Sequence, residues 1–133
     1  MFMVNGISFT PNDSELTATE FLELAQRVWP GDYDITATES ALARTINISA
    51  RDGERLIGVV RVLSDGYFFG TIPELLVDPD YQGTGVGTKL MELAWASSPT
   101  SLFFGAQPES EAFYEKLGYE KGLQSYFRQK QRG

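Results

Sequence analysis

The sequence predicts a single domain of the α/β (α+β) class, and three observations carry that reading. Apolar β-forming runs separated by Asp52-Gly53 and Ser64-Asp65-Gly66 fill the middle of the chain. Amphipathic segments opened by helix caps flank them. Between the two, Glu74-Leu75-Leu76-Val77-Asp78-Pro79-Asp80-Tyr81-Gln82-Gly83-Thr84-Gly85-Val86-Gly87-Thr88-Lys89-Leu90-Met91 reads as a buried strand, a glycine loop and the start of a helix. A chain of 133 residues with 42% apolar content suits one core, so residues 1–133 are taken as one domain.

The elements follow in order. Thr17-x-x-Glu20 and Thr36-x-x-Glu39 are capping-box patterns, each opening a short amphipathic segment. The first runs to Trp29 before Pro30-Gly31, with Phe21, Leu24, Ala25 and Val28 on one face; the second covers about 37–46, with Ala41, Leu42, Thr45 and Ile46 inward. Trp29 fits core packing, and Tyr33 fits either packing or the wall of an entrance, so both are candidate acceptor-site residues. Strands are predicted over 47–51 and 55–63, joined as a hairpin, and over 67–77. Pro73 has no N–H to give a ladder, so the third strand should be bulged or unpaired beside Glu74. A helix over about 86–96, a short strand over 101–105, a helix over 110–117 closed by Gly118, and a last strand over 123–128 complete the order.

Composition narrows the chemistry. The chain has no cysteine and no histidine, which excludes disulfides, thiolate nucleophiles and the commonest general base; acid–base work falls to carboxylates, tyrosines, lysines or water. No metal site is expected. The net charge is −7 and is unevenly spread. Residues 1–39 hold Asp13, Glu15, Glu20, Glu23, Asp32, Asp34 and Glu39 against Arg27 alone, whereas Lys121, Arg128, Lys130 and Arg132 face no acid after residue 120. An acidic surface disfavours nucleic acid as a partner and suits a cationic substrate, although it equally serves solubility. No apolar run approaches the roughly 18 residues of a membrane span, and Met1-Phe2-Met3-Val4-Asn5 lacks the pattern of a signal peptide. The expectation is a cytoplasmic protein without a membrane partner.

The glycine loop has a physical use. Gly83, Gly85 and Gly87 remove side chains from the main chain and tolerate positive φ, so successive N–H groups can line one concavity at a helix N-terminus, where the dipole adds roughly half a positive charge. That suits phosphate oxygens. The same glycines also suit a plain strand-to-helix turn, and the loop alone leaves both uses open. A Walker loop is excluded because Thr88-Lys89 follows Gly87 where Lys-Ser/Thr is required. The dinucleotide fingerprint fails as well, since the spacing is Gly-x-Gly-x-Gly and Ser97-Ser98-Pro99-Thr100 stands where an acidic residue is needed.

Leu75-Leu76-Val77-Asp78-Pro79-Asp80-Tyr81-Gln82-Gly83-Thr84-Gly85-Val86-Gly87, followed by Phe113-Tyr114-Glu115-Lys116-Leu117-Gly118-Tyr119, resembles the GNAT superfamily of acyl-CoA-dependent N-acyltransferases. The signature Gln/Arg-x-x-Gly-x-Gly/Ala is met by Gln82, Gly85 and Gly87. The resemblance implies the GNAT fold: a central mixed, mostly antiparallel sheet, splayed at the cofactor strand and flanked by about four helices. It implies an N-acetyltransferase that moves an acetyl group from acetyl-CoA to a primary amine by direct attack in a ternary complex. The pyrophosphate of coenzyme A would be held by Gln82, Gly83, Thr84, Gly85, Val86, Gly87 and Thr88. The pantetheine would lie on the main chain of Leu75, Leu76 and Val77 like an added strand.

Two catalytic residues are expected by the same resemblance. Glu74 is the candidate general base acting through water, and Tyr114 the candidate acid for the departing thiolate. Seven residues before Tyr114 the family commonly has a cofactor-binding asparagine; here Gln107 occupies the position, followed by Pro108. With the acidic excess in the helices that frame the acceptor site, the expected acceptor is a small cationic amine. The alternatives are a protein lysine or N-terminal acetyltransferase, or a catalytically silent CoA-binding sensor. The protein is expected to act alone or as a homodimer.

Overall fold

A computed structural model describes residues 1–131; Arg132, counted in the basic C-terminal segment, lies outside the described residues. The first element is one that the sequence reading missed. β1 (Phe2–Val4) and β2 (Ile7–Thr10) form an antiparallel hairpin. Its turn is Asn5-Gly6, with φ of 51° and 80°, the left-handed pair that a two-residue hairpin loop requires. The Asn-Gly signal was present, but the flanking segments are short and were read only for signal-peptide character.

α1 (Ala18–Val28) begins at the predicted capping box: Glu20 N–H donates to Thr17 Oγ1 at 3.2 Å and Thr17 N–H to Glu20 Oε2 at 2.8 Å. The second box does not form. α2 (Ile35–Leu42) is capped by Asp34, whose carboxylate accepts from Ala37 N–H at 2.7 Å, so the helix starts two residues before the expected threonine cap is reached. A carboxylate at the cap also opposes the positive helix end, which a threonine does not. Of the four residues expected inward, only Leu42 is fully buried; Ala41 is exposed. Trp29, expected in the core, is 52% exposed because α1 has ended and the chain has turned away from the sheet.

β3 (Ile46–Asp52) and β4 (Arg55–Ser64) form the predicted hairpin at the centre of the sheet, with β2 on the far edge of β3. The expected third strand is divided. Tyr67, Phe68 and Phe69 form a loop whose three N–H groups all donate to Asp65 Oδ1, at 2.8 to 3.1 Å. β5 (Gly70–Thr71) then pairs with Leu63 and Ser64, and β6 (Leu75–Val77) with Gly58, Val59 and Val60. Both lie along the same edge of β4, interrupted at Ile72-Pro73-Glu74 as the proline requires.

α3 (Val86–Ser97) and α4 (Glu111–Lys116) complete the four helices, and Gly118 closes the last at φ 94°. The strand expected over 101–105 reduces to one parallel bridge, Phe103 with Thr71, the single parallel contact among the described residues of an otherwise antiparallel sheet. The strand expected over 123–128 does not form among the described residues, and Leu123, Tyr126 and Phe127 are exposed. The pattern was β-like, but alternation alone does not bring a segment to a partner strand.

The sheet carries a core on each face. On one side Ile48, Val60, Val62, Leu90, Met91 and Ala94 pack with α3; on the other Phe21, Leu24, Val59 and Leu76 pack with α1 and α2. Gly58 permits the closest approach, since a Cβ there would sit 3.0 Å from Leu90 and 3.1 Å from Val86. Period-two alternation along β6 divides the strand between the layers: Leu76 and Asp78 face α1, while Leu75 and Val77 face α3.

Buried ion pairs tie the α1 layer down. Asp78, 1% exposed, accepts from Arg27 Nε and Nη2, Arg55 Nη2 and Asp80 N–H, each at 2.9 Å. Arg51 pairs with Asp13 at 2.9 Å and Glu20 at 2.7 Å. Burial raises the Asp78 and Asp13 carboxyls, but hydrogen bonds from Arg27 and Asp80, and from Ser49 and Arg51, outweigh it and hold both below the ordinary 3.8; the Arg51 bonds likewise lower Glu20 from 4.5. A carboxylate depressed in the folded state stabilises at pH above its unfolded value and loses that contribution as pH falls through the folded one. The thermal midpoint should therefore hold steady down to about pH 5 and fall steeply below about pH 4. Asp78→Asn should lower the midpoint at neutral pH and flatten the acid limb; an acid limb unchanged in that variant would show that Asp78 does not contribute to it.

Candidate active site

The site is built where the sheet divides. Phe103 N–H donates to Gly70 O at 2.9 Å, so the parallel bridge is closed at that level. Past it, β6 pairs only with β4, and its outer edge has no partner among the described residues. Leu75, Leu76 and Val77 lie on that edge. Leu76 is buried and Leu75 and Val77 pack on the α3 core, so what they offer a ligand is main-chain N–H and C=O, as an added strand would use.

The loop that follows has the shape the sequence implied, with one refinement. Gly83 and Gly85 adopt φ of 76° and 92°, and nothing lies within 4 Å of where a Cβ on either would stand. Gly87 is helical and has no such need; a Cβ there would make only ordinary contact, 3.5 Å from Phe113. Gly85 is the N-cap of α3 and caps it with no side chain. The first N–H groups of the helix, at Val86, Gly87 and Thr88, have no intrahelical acceptor. Val86 itself is a core side chain, so only its N–H is available. Gln82 Nε2 donates to Val77 O at 3.1 Å and Thr84 Oγ1 to Tyr81 O, which ties the loop to the strand. N–H donors at a helix N-terminus, beside glycines that carry no side chain, suit a pyrophosphate.

Glu74 lies at the break between β5 and β6 and is not free. Its carboxylate accepts from Arg61 Nη2 at 2.8 Å and from Arg61 Nε, and both side chains are only 15% exposed. This arginine was missed in the sequence. The signal was there: Val59-Val60-Arg61-Val62 puts a cation in a buried strand, where it needs a partner.

Tyr114 stands on α4 in an aromatic group, edge-on to Phe104 at 4.8 Å between ring centroids and to Phe113 at 5.0 Å. Burial pushes its phenol above 10, so it is protonated at neutral pH, and its hydroxyl makes no hydrogen bond among the described residues. Tyr119, also raised by burial and by Tyr114, has a buried hydroxyl without a partner. Tyr114 and its ring neighbours pack with the α3 layer, whereas Arg61, paired with Glu74, lies over Phe21 of α1.

Gln107 caps a short 3-10 turn (Pro108–Ser110) without a side-chain bond, which leaves its exposed amide available. Trp29 and Tyr33, 42% exposed, belong to a structured connection: Tyr33 Oη donates to Trp29 O at 2.6 Å, and Gln26 holds both the N–H and the C=O of Gly31. Arg27 reaches Asp78 and Asp80, so this connection flanks the far end of β6; Phe21, earlier in α1, is the residue near Arg61. Of the seven N-terminal acids, Asp13, Glu20 and Asp34 are taken up by internal pairing or capping, which reduces the charge facing a substrate. No group of acidic side chains among the described residues is arranged to hold a metal.

Comparison with known proteins agrees with this geometry. The family described as the acetyltransferase (GNAT) domain matches residues 44–121. A histone acetyltransferase of Glycine max is 33% identical over 102 residues, 70% of this chain and 43% of the relative. The chloroplastic GCN5-related N-acetyltransferase 2 of Arabidopsis thaliana is 39% identical over 90 residues, 57% of this chain and 34% of the relative. The chain spans about two fifths of the length of the curated relatives it matches. A GNAT family acetyltransferase structure from Streptococcus pneumoniae superposes with a TM-score of 0.75 at 23% identity, covering 92% of this chain and 99% of that one.

Proposed function

As the chain belongs to the GNAT acetyltransferase family, we propose that it transfers an acetyl group from acetyl-CoA to a primary amine by direct attack in a ternary complex. The observation that carries this reading is the open edge of β6 running into an uncapped helix N-terminus. Pantetheine would add to Leu75, Leu76 and Val77, and the pyrophosphate would sit on the N–H groups of residues 82–88, with Gln107 as a further cofactor contact. The neutral amine attacks the thioester carbonyl; the C–N bond forms, the C–S bond breaks, a water passes the amine's proton to Glu74, and Tyr114 protonates the thiolate. A main-chain N–H of β6 stabilises the charge that builds on the carbonyl oxygen.

The acceptor we propose is a small cationic amine. Support comes from the net charge of −7 and from exposed Glu15, Glu23, Asp32 and Glu39 in the N-terminal helices and their connections, with Trp29 and Tyr33 as apolar walls. A protein lysine or N-terminus is the second reading, favoured by the relative named as a histone acetyltransferase. Initial rates with polyamines, arylalkylamines, amino acids and lysine-containing peptides at low salt separate the two. The cationic small amines should have the highest kcat/KM; faster reaction of neutral or anionic amines would contradict the charge argument.

The loop gives its own test. Gly85→Ala forces a side chain into the left-handed region, at about 1–3 kcal/mol, and puts a methyl into the proposed phosphate concavity. The KM for acetyl-CoA should rise on the order of 10-fold, more than kcat falls. An unchanged KM would show that the loop is only a turn.

A further inference from the structure

Arg61 makes four contacts at the point where the sheet divides. Its side chain holds both carboxylate oxygens of Glu74, its N–H donates to Glu74 O at 3.3 Å, and its guanidinium lies 5.9 Å above the Phe21 ring of α1. The main-chain bond is the one ladder-like contact between β4 and the Ile72-Pro73-Glu74 interruption, where Pro73 cannot donate. Glu74 is therefore fixed at both its backbone and its carboxylate by one residue. A planar fork achieves this; an ammonium would not, because it meets a carboxylate as a point charge.

We propose that Arg61 is a positioning residue for acetyl transfer, acting through Glu74; the proposal rests on the reading of Glu74 as the base. Each carboxylate oxygen accepts two hydrogen bonds, so the fork leaves one site per oxygen. The bidentate fork holds the carboxylate in place, so the two remaining lone-pair sites, which diverge, keep fixed directions and either one can accept a hydrogen bond from a water. Without Arg61 the carboxylate rotates about its last bonds and the water is no longer oriented toward the amine. Arg61 also neutralises the charge of Glu74, so the acidic surface beyond the pair, and not Glu74 itself, attracts a cation.

The test is a double-mutant cycle on the full chain, with acetyl-CoA and whichever amine of the panel turns over fastest. Arg61→Gln should lower kcat on the order of 10-fold and leave the KM for acetyl-CoA within about twofold. In a Glu74→Gln background the same change should cost nothing further. Arg61→Lys keeps the charge and the fold but not the fork, and should recover only part of kcat. A wild-type kcat in Arg61→Gln, an additive loss on top of Glu74→Gln, or a loss that appears in acetyl-CoA KM would each overturn the proposal. Full recovery by lysine would overturn the argument from the fork. If Glu74→Gln alone keeps the wild-type rate, the reading of Glu74 fails and the role of Arg61, which acts through it, falls with it.

Discussion

Glu74→Gln should lower kcat/KM on the order of 10²-fold at neutral pH, the loss expected for removing a positioned base. The substitution keeps the size of the side chain but removes its charge. It leaves the guanidinium of Arg61, 15% exposed, without its counter-ion, so some loss of stability accompanies the kinetic one. The two effects separate by pH. At neutral pH the ammonium must give up a proton in the site, whereas near its own pKa the free amine arrives already neutral, so the deficit should shrink as pH rises. Instability would not recover in that way. A variant whose pH–rate profile matches the wild type would remove Glu74 from the mechanism and leave the proton to ordered water.

Tyr114→Phe should lower kcat by a similar factor, on the order of 10²-fold, with little change in CoA affinity. The ring's contacts with Phe104 and Phe113 survive the substitution, because they are edge-to-face and need no hydroxyl. Only the proton is lost. Burial holds the phenol above its ordinary 10, which keeps it a donor throughout the neutral range, so the wild-type rate should show no fall from this group below about pH 9. Tyr119→Phe is the control: it removes a neighbouring buried hydroxyl without a partner, which should leave kcat unchanged and cost no stability. Equal losses in both variants would point to packing of the aromatic group and away from a proton donor at Tyr114.

The elements legible in the sequence were those whose signals are local and strong. The Thr17 capping box, the break at Pro73 and the loop entering α3 formed as read, and the β3–β4 hairpin formed with its turn one residue on, at Gly53-Glu54. What failed depended on long-range partners. The segment over 123–128 has the alternation of a strand but pairs with no strand among the described residues, and 101–105 keeps a single bridge. Asp34 and Thr36 both suit a cap, and Asp34, whose carboxylate accepts from Ala37 N–H, takes the position. In the site, the loop and the outer edge of β6 were legible because glycine and proline act on the backbone. The pairing of Glu74 was not, since Arg61 lies 13 positions away on the neighbouring strand and a register is needed to bring them together.

If the open edge of β6 and the N-terminus of α3 serve acetyl transfer from acetyl-CoA to an amine, the purified chain turns over both substrates. Incubating the purified chain with acetyl-CoA and the amine panel, while following free thiol and acetylated amine together, tests it most directly. The account predicts thiol release that requires an amine, matches the acetylated product mole for mole, and gives intersecting lines when both substrates are varied. Tight binding of CoA with no thiol release for any amine would contradict it, and would make this domain a sensor of coenzyme A.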